Sequence, residues 1–168
     1  MATGRIVVGV DGSEQSVRAL QWAATQAGLT GAELDVVTAW EFPTWGGLIP
    51  ENATYDPEKQ AAHILAATVN KALAVHAATS ATCHTVKGNA AEALLNRSKG
   101  ADLLVIGARG HTGLRATVMG SVSLHVVQHS SVPVTVVRGT EPGQLGAQPQ
   151  ASASATTTAS PSASASGG

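Results

Sequence analysis

The sequence predicts an open parallel α/β sheet of five strands with helices packed on both of its faces. Short apolar runs alternate along the chain with segments of helical periodicity, in the order β-α-β-α-β-α-β-α-β. The runs at 5–10 and 102–107 are apolar almost throughout rather than at every second position, which is typical of strands buried on both faces. We expect the strand order 3-2-1-4-5.

The first part of the chain is predicted to form a strand–helix–strand unit. The strand at 5–10 is followed by a polar turn and by a helix that Gly28 or Gly31 ends. The second strand is expected at 34–40. The apolar face of the helix carries Val17, Leu20, Ala24 and Ala27.

A long connection rich in proline and glycine, 41–56, precedes the second helix. Asp56 and Pro57 open this helix, because proline is accepted at the first helical position, and we expect it to run to about Ala78. The third strand is expected at 82–86. The buried stripe of the helix is predicted to be Ala61, Leu65, Thr68, Ala72 and Val75.

Two further helix–strand steps complete the domain. Asn89 is typical of the residue that caps a helix, and Gly100 is expected to end that helix before the fourth strand at 102–107. The fourth helix is expected at 120–129 and the fifth strand at 133–137, where a leading proline is tolerated because it stands at a strand start.

The two ends of the chain differ in composition. No large aliphatic or aromatic residue follows Leu145, and 151–168 contain only Ala, Ser, Thr, Gly and Pro. Such a segment cannot offset its ordering entropy by burial. We therefore expect one folded domain at 1–138 and a disordered tail rich in Ser, Ala and Thr at 139–168.

Charge and composition exclude several classes of function. The 10 basic and 11 acidic residues form no basic cluster, so nucleic-acid binding is not expected. The apolar runs are far shorter than the roughly 20 residues that span a bilayer, and the chain enters its first strand without a signal-peptide core. With Cys83 as its single cysteine, the sequence predicts a cytoplasmic protein that has no membrane partner.

Two glycine-rich, polar turns follow the first and the fourth strand, at 11–13 and 107–123. In a doubly wound sheet of this order, the crevice beyond the carboxyl ends of those two strands is where ligands bind. Gly107 and Gly110 allow a sharp turn and a close backbone approach. Gly120, for which we expect a positive φ, opens the last helix and places its first N–H groups where they attract phosphate.

Cationic or hydrogen-bonding side chains stand in the same segment. Arg109, His111 and Arg115 lie between the glycines and would face the expected anion.

The spacing Gly107-x2-Gly110-x9-Gly120-Ser121 resembles the nucleotide-binding pattern of the universal stress protein family. The opening 6–13 and the closing 132–138 are similar to that family's first strand with its acidic turn and to its last strand. The resemblance covers 4–138. It implies a Rossmann-like domain of the adenine nucleotide alpha hydrolase type, usually dimeric, in the branch that binds ATP.

The resemblance also implies roles for single residues. Asp11 would contact the ribose or the metal–phosphate region, and the backbone of Ala39 would meet the adenine edge. Gly107, Arg109 and Gly110 would wrap the ribose and the phosphates. The phosphates would be held by Gly120, Ser121, Val122 and Ser123. ATP, accompanied by Mg²⁺, is the expected ligand, and cyclic AMP and AMP stay open as alternatives.

The same segment argues against fast catalysis. It lacks the GxxxxGK[ST] lysine of P-loop enzymes and any carboxylate that could orient water. We expect a nucleotide-responsive, stress-response regulatory protein with at most slow ATP hydrolysis. Two alternatives stay open: a dimeric scaffold with an empty pocket, and an adenylating-type enzyme, although 9–13 lack the paired glycines of that class.

Several other residues favour structural roles. His125 and His129 stand one helical turn apart without an evident third metal ligand. Cys83 and His84 are neighbours on a strand and point to opposite faces, so they do not form a dyad. The insert around Trp45 is expected to pack near the pocket or to act as a lid.

The fifth strand, Pro133 to Val137, is an edge strand in the expected order, and no charge interrupts it. Such an edge invites pairing with a second chain. We expect a homodimer joined at this strand.

Overall fold

The computed structural model describes residues 4–42, 56–74, 80–110 and 119–139. Five parallel strands form one sheet in the order β3-β2-β1-β4-β5, which confirms the predicted fold class and strand order. The elements are β1 Arg5–Gly9, α1 Glu14–Thr30, β2 Glu33–Trp40, α2 Pro57–Leu73, β3 Ala81–Lys87, α3 Ala90–Arg97, β4 Leu103–Gly107, α4 Ser121–His129 and β5 Val134–Val137.

Most of the predicted ends lie within a few residues of the observed ones. Helix α1 ends at Gly31, the second of the two predicted glycines, whose φ of 72° is in the left-handed region. Helix α2 ends at Leu73 rather than near Ala78, and Val75 lies outside the described residues. Helix α3 ends three residues before Gly100, with Ser98 as its C-cap. The predicted tail lies outside the described residues beyond Gly139.

Each face of the sheet carries its own apolar core. On one face, α1 and α2 pack against the strands through fully buried side chains such as Leu20, Val8 and Leu34. On the other face, α3 and α4 cover the sheet through Leu94 and Val126. The central strands β1, β2 and β4 are largely buried on both faces, as expected for a parallel sheet, whereas β3 and β5 at the edges are more exposed.

A buried carboxylate fixes the end of α3 to the amino-terminal half of the sheet. Asp35 of β2 accepts a hydrogen bond from the guanidinium of Arg5 at 3.1 Å, and Nε2 of His84 lies 3.4 Å from its other oxygen. Arg5 also donates to the carbonyl groups of Arg97 and Lys99 at the end of α3. His84 therefore belongs to a structural charge network, in agreement with the expectation that it forms no dyad with its neighbour.

Side chains cap the helices on the side of the sheet where the strands end. Ser13 and Asp56 cap α1 and α2, and the Asn89 side chain accepts from the amides of Ala91 and Glu92 at the start of α3. These bonds satisfy first-turn amides that lack a partner within their helix.

Asn89→Ala is expected to lower the free energy of unfolding by about 1 kcal/mol, because it leaves the first-turn amides of α3 without their cap. Chemical denaturation of the two proteins measures the difference. Asn89→Asp keeps an acceptor at the same place and should be close to wild type. An equal loss of unfolding free energy in both variants would show that the side-chain cap of Asn89 does not stabilise α3.

Within the described residues, no helix is long and apolar enough to cross a membrane.

Candidate functional site

A cleft of about 340 Å³ opens where β1 and β4 end. This volume falls in the lower range of small-molecule sites in proteins. Its walls come from five places: the turn after β1, the end of β2, the end of β4 with the residues that follow it, and the starts of α3 and α4. The described lining residues include Asp11, Ala39, Gly107, Arg109, Gly110, Gly120, Ser121, Val122 and Ser123, which are the site residues that the sequence predicts.

The turn after β1 is built around Asp11. One carboxylate oxygen of Asp11 accepts from the backbone N–H and the hydroxyl of Ser13, at 3.0 and 2.6 Å. Ser13 in turn caps α1 through Ser16. Gly12 makes the turn possible with a φ of 86°. Asp11 thus orders this turn and at the same time lines the cleft.

The glycines after β4 are needed for close packing within the protein. A Cβ at Gly107 would lie 3.1–3.2 Å from the backbone of Gln15, and one at Gly110 would collide with the carboxylate of Asp11. Neither glycine has a positive φ. Residues 107–110, the described start of the loop after β4, therefore lie directly on the first turn of α1 and on the turn after β1.

The start of α4 forms the wall of the cleft that faces this loop. Gly120 is its N-cap, with a φ of −64°, so the expected positive φ is wrong: the residue has the extended backbone usual at an N-cap. Its own N–H donates to the carbonyl of Ala108, and no side chain caps the helix. The amides of Ser121, Val122 and Ser123, which precede the first intrahelical bond, concentrate positive potential at this wall.

The Ser123 side chain is engaged within the protein. Its hydroxyl donates to the carbonyl of Gly107 at 2.7 Å, and the residue is only 5% exposed. That proton is used to hold α4 against the end of β4. The side chain is thus a structural tie, and its backbone amide is the group that faces the same direction as its neighbours in the first turn.

The hydrogen-bond pattern of β2 explains why the backbone of Ala39 faces the crevice. The carbonyl of Val37 accepts from Val10 on the β1 side, and the carbonyl of Trp40 accepts from Gly88 on the β3 side. Backbone groups alternate sides along a strand. Ala39 therefore directs its N–H and C=O toward the β1 side, beyond the last residue of β1.

Arg109 contributes to the loop through its backbone, where its N–H donates to the side-chain oxygen of Gln15 at 2.7 Å. The other two cationic residues that the sequence singles out, His111 and Arg115, lie outside the described residues.

Several contributors to the site were not predicted from the sequence. Leu94 and Ala90 of α3 line the cleft opposite the strand ends, and Gln15 bonds the residues after β4 without lining the cleft itself. No sequence pattern marks Gln15, because its partner is 94 positions away.

His125, His129 and Cys83 lie outside the cleft lining. The rings of His125 and His129 stack at 4.2 Å, and no group of three or more metal-ligand side chains occurs in the described ranges. Partial burial raises the pKa of the Cys83 thiol, which favours the protonated thiol over the thiolate.

The aromatic residues beside the insert pack on one another. Trp40 and Phe42 meet edge to face with their centroids 5.5 Å apart, and Nζ of Lys87 lies 5.4 Å from the Phe42 ring centre. Trp45 lies outside the described residues.

The fold and the cleft define a doubly wound α/β domain whose crevice at the switch point combines a glycine loop with an uncapped helix N-terminus. The model of the universal stress protein family matches residues 3–138, and the chain belongs to this family.

Curated relatives and solved structures agree with this assignment. A universal stress protein of Mycolicibacterium smegmatis is 32% identical over 81% of this chain and 48% of its own length. Universal stress protein YxiE of Bacillus subtilis is 31% identical over 80% of this chain and 98% of its own. The chain thus spans about half the length of the mycobacterial relative and nearly all of the Bacillus one.

Among solved structures, a universal stress protein in complex with cAMP is 27% identical, with a TM-score of 0.62 over 82% of this chain and 98% of that one. The universal stress protein from Archaeoglobus fulgidus is 25% identical, with a TM-score of 0.60 over 80% of this chain and 98% of that one.

Proposed function

We propose that this chain binds an adenine nucleotide, with ATP preferred, in the cleft at the ends of β1 and β4. We further propose that it acts as a nucleotide-responsive regulatory dimer rather than as a fast catalyst. The observation that carries the proposal is the meeting of the glycine loop after β4 with the uncapped start of α4 across one cleft.

The phosphate end of the ligand would lie against α4. The first-turn amides of Ser121, Val122 and Ser123 point along the positive end of the helix dipole, and no side chain occupies them as a cap. Backbone amides in this arrangement favour phosphate oxygens. Asp11 is the carboxylate among the described lining residues, and Mg²⁺ bound to ATP commonly takes one or two carboxylates besides phosphate oxygens.

The base would lie at the other end of the cleft. Ala39 offers a backbone donor and acceptor, which match the hydrogen-bonding edge of adenine, and Val37 and Leu94 add apolar surface. The family relative solved with cAMP supports an adenine nucleotide as the ligand class.

The described lining residues include no carboxylate besides Asp11 that could orient a water for attack on a phosphate, which favours nucleotide binding over hydrolysis. Phosphoryl transfer needs a cation on the transferred phosphate and a group that orients the nucleophile. In the described part of the cleft wall, Asp11 is the one carboxylate, and Ser13 engages one of its oxygens.

The edge of β5 supports the dimer in this proposal. The carbonyl groups of Pro133 and Val137 bond to β4, so those of Val134 and Val136 point away from the sheet by alternation. An edge of β-branched residues without charge is a template for pairing with a second strand. Since α4 links the cleft directly to β5, bound nucleotide would influence that pairing.

Mass spectrometry of the small molecules released from gently isolated protein tests the proposed ligand class. We expect an adenine nucleotide at a substantial fraction of the protein concentration, and much less from a variant whose cleft is filled. Recovery of a different class of small molecule, lost in the same variant, would contradict the proposal.

A further inference from the structure

We propose that Gln15 is a positioning residue of the nucleotide site, which holds the loop after β4 in its binding shape through the backbone of Arg109. This inference deepens the proposed function and rests on it. Gln15 does not line the cleft, so any influence it has on a ligand passes through the loop.

Gln15 contacts the loop at two points. Its side-chain oxygen accepts from the N–H of Arg109 at 2.7 Å. Its backbone lies so close to Gly107 that a Cβ there would be 3.1 Å from the Gln15 carbonyl carbon. Because Gln15 belongs to the first turn of α1, these contacts fix the start of the loop to a rigid helix.

The chain that leaves β5 also passes beside the Gln15 side chain. At Gly139, a Cβ would lie 2.6 Å from Nη1 of Arg18 and 3.7 Å from Cγ of Gln15. A half-buried side chain that already bonds the loop loses little further freedom when a ligand binds, which is the physical basis of preorganisation.

The hydrogen bond between Arg109 and Gln15 also determines which backbone amides can donate to the phosphate. An N–H in a glycine-bordered turn is a natural anion donor. The N–H of Arg109 is bonded to Gln15, so the donors for phosphate are the first-turn amides of α4. Gln15 therefore sets how far the loop stands from α4 and hence the width of the phosphate end. Its contribution is expected to grow with the number of phosphates on the ligand.

Two variants separate this role from simple stability. Gln15→Met keeps the length of the side chain and removes the acceptor, whereas Gln15→Glu keeps an acceptor. Amide hydrogen exchange without ligand should show fast exchange at Arg109 in Gln15→Met, and slow exchange in the wild type and in Gln15→Glu. Equal amide exchange rates at Arg109 in all three proteins would show that Gln15 does not protect this N–H. This result would not depend on whether the protein binds a nucleotide.

Calorimetric titration with ATP and with adenosine then tests the positioning role. We expect Gln15→Met to bind ATP about tenfold more weakly, and to bind adenosine as the wild type does. Equal losses for both ligands, or no loss for either, would overturn the proposal. If the wild type binds neither ligand, the proposed function fails. The amide exchange rate at Arg109 then still tests the hydrogen bond between Arg109 and Gln15.

Discussion

Gly120→Val is expected to abolish nucleotide binding, with a loss of about 100-fold or more in affinity, while the protein stays folded. Among the described residues, a Cβ at Gly120 would meet nothing closer than 3.5 Å, the Cα of Arg109, so the Cβ itself is accommodated there in the absence of ligand. The methyl groups of valine would fill the gap between the loop after β4 and the start of α4. A phosphate that approaches the first-turn amides would meet them, and a hundredfold loss corresponds to about 2.7 kcal/mol.

Graded and matched variants make this test specific. Gly120→Ala should bind with intermediate affinity, because it adds a single methyl group. Gly28→Ala adds the same group to α1, where a Cβ meets nothing within 4 Å, and should leave binding unchanged. Gly107 and Gly110 are poorer choices, since a Cβ there strikes Gln15 or Asp11 and disturbs the protein itself. Wild-type affinity in Gly120→Val would contradict the phosphate assignment.

Val136→Pro is expected to convert the proposed dimer to a monomer. The N–H of Val136 points away from β4, so proline removes a donor from the free edge and leaves the ladder between β4 and β5 intact. Proline would also obstruct a second strand laid along this edge. Sedimentation at tens of micromolar protein should show one species of twice the monomer mass for the wild type, and the monomer mass for the variant.

The control for this test removes the side chain alone. Val136 is partly buried against the core under α4, so Val136→Ala loses packing but keeps the N–H. We expect Val136→Ala to remain a dimer. A wild-type protein that sediments as a monomer with and without ATP would contradict the edge-pairing model, and so would a Val136→Pro dimer.

The fold could be predicted almost completely, because its signals are local. Apolar runs marked the five strands, and capping residues such as Asn89 and Asp56 marked helix starts within one residue. The errors lie where local signals compete. Helix α2 stops at Leu73 although helix-forming residues continue, and Gly100 turns the chain only after α3 has already ended.

The candidate site could be predicted at the level of its residues but not of its contacts. The glycine spacing predicted residues that the structure brings to one cleft. It did not reveal that the Ser123 hydroxyl is bound to Gly107, or that Gln15 holds the N–H of Arg109. Both bonds join groups that are distant in sequence, and each depends on a side-chain direction that only the packed sheet determines.

Calorimetric titration of the wild-type protein with ATP, ADP, AMP and cyclic AMP tests the central claim most directly. We expect a binding isotherm for at least one of these adenine nucleotides, with the highest affinity for ATP. The binding heat should be lost in Gly120→Val and retained in Gly28→Ala. The absence of binding heat and of competition for all four ligands at millimolar concentration would contradict it.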